Sequence, residues 1–503
     1  MVGPTDASGV PPAHPTAWSA EQIRHVGYRT MDLIAEYLSA LPSGPVFRPV
    51  PPSLSARLLA TPMPESGTAP DTLLDQIATD IMPYPFGNGH PRFSGWVRSP
   101  PAVMGIFAET LASALNPSVA GGNHAAVYVE HEVVGWFAEL LGFPATAAGH
   151  LVTGGSAAAL TALGVARHVA AARAGIDVRA EGVQGAGTTF TAYQTAEGHA
   201  CHRKALELLG LGARDIRLID TDAELRMLPA ALDAALERDI RAGCTPIAVI
   251  ASAGTVNVGA IDPLDAIADI CAARGVWLHV DGAYGAPAIL SARYAAALAP
   301  LGRADSVGVD PHKWMYVPIE AGLVLIKDAV AARAAYSLVP PYLRTDGDAH
   351  GVGGPPWFSE FGLQQTRGFR ALKVWASLTH LGIEGYRAAI EHDLALADAL
   401  AALVRAAPDL EIWDPRGLSI VCFRYVGDGR LDAPELDALN RAVCTELQRG
   451  GEVFPTSTVL RGRTYLRSCL MHPGATPRDV ERLVRAARTA GMRLAGIWGE
   501  RAL

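Results

Sequence analysis

The chain has 503 residues, 50% of them apolar and 18% charged, with a mean hydropathy of +0.18, so it folds around a large interior and exceeds the size at which one core usually stops growing. A formal charge of -8, an isoelectric point near 6.0 and no basic block argue against nucleic acid as a partner and leave small molecules and other proteins. Six scattered cysteines without a CxxC pair suit reduced thiols in the cytoplasm, and neither a signal peptide nor an apolar run of membrane-spanning length is present, so no membrane partner is expected.

In chain order, Pro4, Pro11, Pro12 and Pro15 mark a loose start, after which Ile23, Val26, Met31, Ile34 and Leu38 predict a helix over 16–41. Pro42 ends it, and Pro45, Pro49, Pro51, Pro52, Pro62 and Pro64 predict mostly extended or turned chain. An arm of this kind has too little core of its own and is expected to lie over something else, such as a second subunit. A short helix is predicted over 72–81, then an irregular aromatic loop, His90-Pro91-Arg92-Phe93-Ser94-Gly95-Trp96, and two helices within 101–144. Glu130, His131 and Glu132 read as helix surface or interface, and His124 and His131 lack a third neighbour for a metal, so none is expected.

From Leu151 strand-like runs alternate with helices. Strands are predicted at 151–152, 189–193, 216–219, 246–252, 276–280, 306–309 and 322–327, with helices at 156–174, 201–211, 228–242 and 264–274 between them. Continuous apolar strands linked by helices predict an α/β fold with a mostly parallel central sheet covered on both faces. Residues 332–368, rich in glycine and proline, have no sustained period and read as a lid or binding loop. Helices at 369–381, 382–404, 434–449 and 477–490, with strands at 418–425 and 465–470, predict a small C-terminal α+β domain. The expected organisation is an arm over 1–85, a large domain over 86–380 with a mobile loop at about 338–366, and a small domain over 381–503.

Four strand ends carry candidate chemistry. Thr153-Gly154-Gly155-Ser156 is either a tight turn or a phosphate cradle, in which glycines admit the ligand and a new helix offers free N–H groups. In His279-Val280-Asp281-Gly282-Ala283 a carboxylate ends an apolar strand and needs a cationic partner, either an arginine or a protonated ring nitrogen. His199 reads as a cap, a core residue or a site residue, and Ser252-Ala253-Gly254-Thr255 is another strand that yields to small and hydroxyl residues. In Asp310-Pro311-His312-Lys313-Trp314 the lysine is a surface residue or an amine placed to meet a carbonyl. Lysine for a carbonyl, aspartate for a pyridinium and Gly-Gly-Ser for a phosphate together describe pyridoxal 5'-phosphate.

With Pro311-His312-Lys313-Trp314, His279-Val280-Asp281-Gly282-Ala283 and Gly154-Gly155-Ser156 in hand, the chain resembles the pyridoxal-phosphate-dependent group II amino acid decarboxylases of fold type I, especially the aromatic L-amino acid decarboxylases. The resemblance implies that Lys313 holds the cofactor as a Schiff base, Asp281 meets its pyridine nitrogen, His199 stacks on its ring and Ala283 lies on the other face. It implies Gly155, Ser156 and His312 at the phosphate, Thr255 near the ring substituents, and Tyr342 as the mobile-loop tyrosine that acts as proton donor in a neighbouring subunit's site. Phe93, Trp96, Val97 and Ser99 would line the substrate pocket and favour an aromatic L-amino acid, while Arg92 and Arg98, if they face it, would admit an acidic one. The expected assembly is a homodimer with shared active sites. Related aldehyde synthases carry phenylalanine in place of the tyrosine, so Tyr342 favours release of an amine over oxidative deamination; a non-catalytic scaffold is the other alternative. The chain departs from the family pattern at Ala157-Ala158-Ala159 and at Asp310, where asparagine is common.

Overall fold

The computed structural model describes residues 16–338, 357–414 and 416–501. They fall into two compact units, one ending at His90 and one beginning at Pro91.

In the first unit, Ser19 and Gln22 form a reciprocal cap that starts a helix over Ala20–Ala40. Its half-buried Arg29 reaches Asp71 and Asp75 on a helix over Pro70–Gln76, which continues as one π-helical turn, Ile77–Ile81. The segment expected to be mostly extended also holds a helix, Pro52–Ala60. Proline is tolerated in the first helical turn, where its missing N–H has no partner to lose, so this proline starts a helix and does not prevent one.

The second unit is built on a seven-stranded sheet: β1 (Ala148–Val152), β2 (Phe190–Thr195), β3 (Ile216–Ile219), β4 (Thr245–Ser252), β5 (Trp277–Asp281), β6 (Ser306–Val309) and β7 (Gly322–Ile326), in the order β1-β7-β6-β5-β4-β2-β3. β3, β2, β4, β5 and β6 pair in parallel, and β7 runs antiparallel between β6 and β1. Helix α1 (Val103–Leu115), helix α2 (Ala125–Leu140), helix α3 (Gly155–Arg173) and helix α4 (Ala200–Leu208) belong to this unit. The run Ala157-Ala158-Ala159 has a packing reason: Ala158 and Ala159 are buried, and Ala158 leaves room for β6 at Gly308. This is the expected α/β architecture of fold type I.

Glu130 on α2 is fully buried, which rules out the surface half of its reading as helix surface or interface. Its Oε1 accepts the Leu151 N–H at 2.8 Å and pairs with the equally buried Arg367, whose guanidinium also donates to the carbonyls of Leu151 and Val119. The carboxylate thus serves an orphan N–H beside β1, a need that helix periodicity does not reveal.

The stretch read as aperiodic from 332 opens inside helix α5 (Ala329–Tyr336), begun by the Asp328 side chain. Helix α6 (Ala371–Ala406) bends at Gly382, where φ is +66°. It leads to an antiparallel sheet of β8 (Leu410–Ile412), β9 (Ile420–Tyr425), β10 (Thr456–Leu460) and β11 (Arg463–Cys469), ordered β10-β11-β9-β8 and packed with helices α7 (Ala433–Gly450) and α8 (Pro477–Arg501). β8 and β10 were not expected. They are short edge strands, and Thr456-Ser457-Thr458 carries little apolar signal. Among the described residues no helix is long and apolar enough to cross a membrane.

Candidate active site

Register brings the chemistry to one edge of the large sheet. Ser252 at the end of β4 pairs with Asp281 at the end of β5, and Asp281 pairs with Gly308 of β6, so three parallel strands finish together. The crevice beyond such carboxyl ends is where open α/β sheets bind ligands. Beyond β6 the Lys313 N–H donates to the Asp310 carbonyl at 2.8 Å, a turn that presents Asp310, His312 and Lys313 to the same cavity of about 460 Å³.

Lys313 Nζ lies 3.0 Å from Asp310 Oδ2. Burial pulls the lysine pKa down, but the Asp310 and Asp281 carboxylates outweigh it and hold the amine above its usual range as an ammonium. Behind the lysine, the Ser99 hydroxyl donates to the Lys313 carbonyl at 2.5 Å. Asp281 accepts the Ala283 N–H on Oδ1 at 3.1 Å and has His202 Nε2 3.3 Å from Oδ2. Burial opposes its charge, yet His202, Lys313 and the Ala283 N–H hold the carboxylate below its usual range.

The N-terminus of α3 opens on the same cavity without a side-chain cap. Gly154, which precedes it, has φ +142°, and a Cβ on Gly155 would sit 3.1 Å from Asp310 Oδ2 and 3.4 Å from the Ala283 methyl. Gly322 is required by the same turn, since a Cβ there would come within 2.4 Å of Gly154 Cα. The result is a bare helix terminus lined by Gly155 and Ser156, a shape and charge suited to a phosphate.

His199 begins α4: its Nδ1 accepts the Cys201 N–H at 3.2 Å, which puts the ring proton on Nε2. Burial lowers its pKa, so it lines the cavity as a neutral imidazole. His312 Nδ1 lies 2.7 Å from the Ala321 carbonyl oxygen and 3.2 Å from the Ala321 nitrogen, which anchors the ring and leaves Nε2 3.8 Å from Asp310 Oδ2. Thr255 is buried and turns its hydroxyl to the Ala260 N–H at 3.1 Å, so it shapes its own loop while bordering the cavity.

Lys313, Asp281, Ala283, His199, Gly155, Ser156, Thr255 and His312 therefore border one cavity, as do Trp96 and Val97. Phe93 and Ser99 are not among its lining residues. Phe93 is buried against Phe454, with ring centroids 5.1 Å apart, and Ser99 is turned to the lysine backbone. Tyr342 lies outside the described residues. Arg98 lines the cavity, whereas Arg92 donates to the Glu452 carbonyl at 2.8 Å. Asp310, singled out in the sequence only as a departure, is the ion partner of the lysine, and its buried Oδ1 has no hydrogen-bond partner.

Sequence reading missed Arg467. This buried residue of β11 donates to the carbonyls of Trp96 at 2.8 Å, Val256 at 2.9 Å and Asn257 at 3.1 Å, tying together two stretches of the cavity wall. Its sequence signal was weak: an arginine between Leu466 and Ser468 in a strand of mixed polarity.

The residues present fit pyridoxal phosphate: an amine, a carboxylate that stays charged, a neutral imidazole and an anion-ready helix end share one chamber. Residues 52–426 match the model of the pyridoxal-dependent decarboxylase conserved domain. The chain belongs to the pyridoxal-dependent decarboxylases. An aromatic-L-amino-acid decarboxylase of Bacillus atrophaeus is 34% identical over 92% of this chain and 94% of that protein. An L-2,4-diaminobutyrate decarboxylase of Rhizobium meliloti (strain 1021) is 34% identical over 84% of this chain and 83% of its own length. Among solved structures, Oryza sativa TDC with PLP and tryptamine superposes with a TM-score of 0.87 at 26% identity, covering 96% of this chain and 99% of that one. This decarboxylase is thus a pyridoxal-phosphate-dependent enzyme acting on an amino acid.

Proposed function

We propose that the decarboxylase converts an aromatic L-amino acid to its amine and carbon dioxide, with Lys313, Asp281, His199 and Tyr342 as its catalytic residues. The observation that carries the substrate class is the wall of the cavity, where Trp96 is 43% exposed beside Val97 and Val256 and offers a flat apolar face to a substrate side chain. The names of the relatives in Bacillus and rice agree with it.

Bound pyridoxal phosphate supplies a carbonyl carbon that takes the substrate amine and a protonated ring that draws in the electron pair left when carbon dioxide departs. The surroundings of Lys313, Asp281 and His199 support the roles proposed for them. Asp281 keeps a negative charge against the ring nitrogen, because an ion pair so placed favours the protonated ring. Gly155, Ser156 and His312 would hold the phosphate at the start of α3, and Ala283 and His199 would flank the ring. Lys313, once its ammonium has lost a proton, would be the amine that holds the cofactor carbonyl. Tyr342 delivers a proton to the substrate carbon, which favours amine over aldehyde as product.

A second reading has one observation in its favour: Arg98 lines the cavity, so an acidic side chain would find a counter-charge there. A panel of L-amino acids assayed for carbon dioxide, amine, aldehyde and ammonia decides between the two. Amine formed from tryptophan, tyrosine, phenylalanine or dihydroxyphenylalanine supports the aromatic reading. Turnover confined to aspartate or glutamate ends it, and stoichiometric aldehyde with ammonia ends the simple decarboxylation.

We propose further that the enzyme is a cytoplasmic homodimer with shared active sites. Val103, Phe107, Leu111 and Leu115 form one exposed apolar stripe along α1, which a second copy would cover, and the six cysteines are unpaired. A Leu111→Asp variant that sediments as a monomer would agree with that interface.

A further inference from the structure

His202 has no part in the roles above, yet it lies close to the far oxygen of Asp281. It occupies the first turn of α4, is 1% exposed, and places Nε2 3.3 Å from Asp281 Oδ2. Its other ring nitrogen, Nδ1, is buried with no hydrogen-bond partner. A carboxylate oxygen can only accept, so the proton of a neutral ring belongs on Nε2, facing Asp281. The ring packs edge to face with the His279 ring, with centroids 5.9 Å apart, and the residue's backbone N–H donates to the His199 carbonyl at 3.1 Å in the first turn of the helix. His279 is set in turn by Ser306, which Trp277 also reaches.

We infer that His202 is a positioning residue that orients the Asp281 carboxylate toward the cofactor ring and keeps it ionised, so that this enzyme governs the charge of the ring nitrogen through a histidine–aspartate pair. Oδ1 is held by the Ala283 N–H, and Oδ2 stands 3.3 Å from the His202 ring nitrogen, so each carboxylate oxygen has a polar neighbour that favours this orientation. A neutral donor is better suited to the task than a cation. It steadies the carboxylate without cancelling the charge that the ring nitrogen must feel. Burial, ahead of every other influence, keeps His202 below the ordinary imidazole range, and His279 beside it is pushed down to about 3. The other titratable groups facing the pair are His199 and Cys201 from α4 and Lys313 and Asp310 from the turn beyond β6.

This inference rests on Asp281 being the partner of the ring nitrogen, and the test separates the two. Purified holoenzyme is compared with His202→Val, His202→Gln and Asp281→Ala by cofactor dissociation constant, by pH titration of the cofactor absorbance, and by kcat and KM for the best amino acid. His202→Val is expected to weaken cofactor binding about tenfold, to move the absorbance titration by about one pH unit and to lower kcat with little change in KM, since one pKa unit is a factor of ten in the charged form. His202→Gln, whose terminal N–H reaches the place of Nε2, is expected to recover most of each value. If His202→Val matches the parent in spectrum and affinity while Asp281→Ala does not, the histidine has no such role. If neither variant changes the spectrum, the assignment of Asp281 itself falls. Should His202→Val fail to fold, His202→Asn replaces it: its shorter amide does not reach Oδ2, so equal values for Gln and Asn overturn the inference.

Discussion

Replacing Arg467 by alanine tests whether the substrate wall is held in place from strand β11. The guanidinium makes hydrogen bonds to the carbonyls of Trp96, Val256 and Asn257, and Trp96 sits at φ +50°, a left-handed conformation that a residue with a side chain seldom adopts unaided. A hydrogen bond to a charged group contributes about 1.5–3 kcal/mol. If only the bond to Trp96 governs how that ring meets the substrate, about 2 kcal/mol is lost, or roughly thirtyfold in kcat/KM. Steady-state kinetics with the best substrate measure it, with Arg467→Lys expected between the two because one ammonium cannot span three carbonyls. The cofactor spectrum should not change, since none of these contacts touches Lys313 or Asp281. A folded Arg467→Ala enzyme within twofold of the parent in kcat/KM would refute the reasoning.

Asp310→Asn is expected to bind pyridoxal phosphate about tenfold more tightly, because cofactor capture takes the ammonium of Lys313 away from a carboxylate that then stands beside the phosphate cradle; equal or weaker affinity by spectroscopic titration would count against that cradle. The same variant removes the carboxylate that does most to raise the Lys313 pKa, so the pH at which the apo-protein captures cofactor should shift downward, toward earlier release of the lysine proton. Glu130→Ala leaves the Arg367 guanidinium buried without its counter-charge, a loss of about 3–5 kcal/mol in folding stability that denaturant melts would register; a loss below about 1 kcal/mol would mean water reaches Arg367. Tyr342→Phe should lower amine formation and leave cofactor absorbance intact, with aldehyde and ammonia as new products; undiminished amine would assign the proton to another group.

The site was legible where one residue type can do one job. Lys313 after an apolar strand, Asp281 at the end of another and Gly154-Gly155-Ser156 before a helix each conflict with ordinary burial or backbone preference, and the structure brings them into one cavity. Legibility failed where a role depends on a partner far along the chain. Phe93 looked like a pocket wall until Phe454 claimed its ring, Ser99 until the Lys313 carbonyl took its hydroxyl, and Glu130 like surface until Arg367 met it. His202 and Arg467 were passed over for the same reason, since their partners lie 79 and 371 residues away respectively, counted to Asp281 and Trp96. The fold was read from the apolar parallel strands, while the edge strands β8 and β10, half exposed and partly polar, carry too weak a pattern to be seen alone.

The account depends most on the amine of Lys313 being the group that holds the cofactor. Borohydride reduction of the holoenzyme followed by mass spectrometry of its peptides tests this directly. The account predicts a phosphopyridoxyl group on the peptide containing Lys313, and its loss in Lys313→Ala. A label on a different lysine, or none on protein that has bound cofactor, would contradict it.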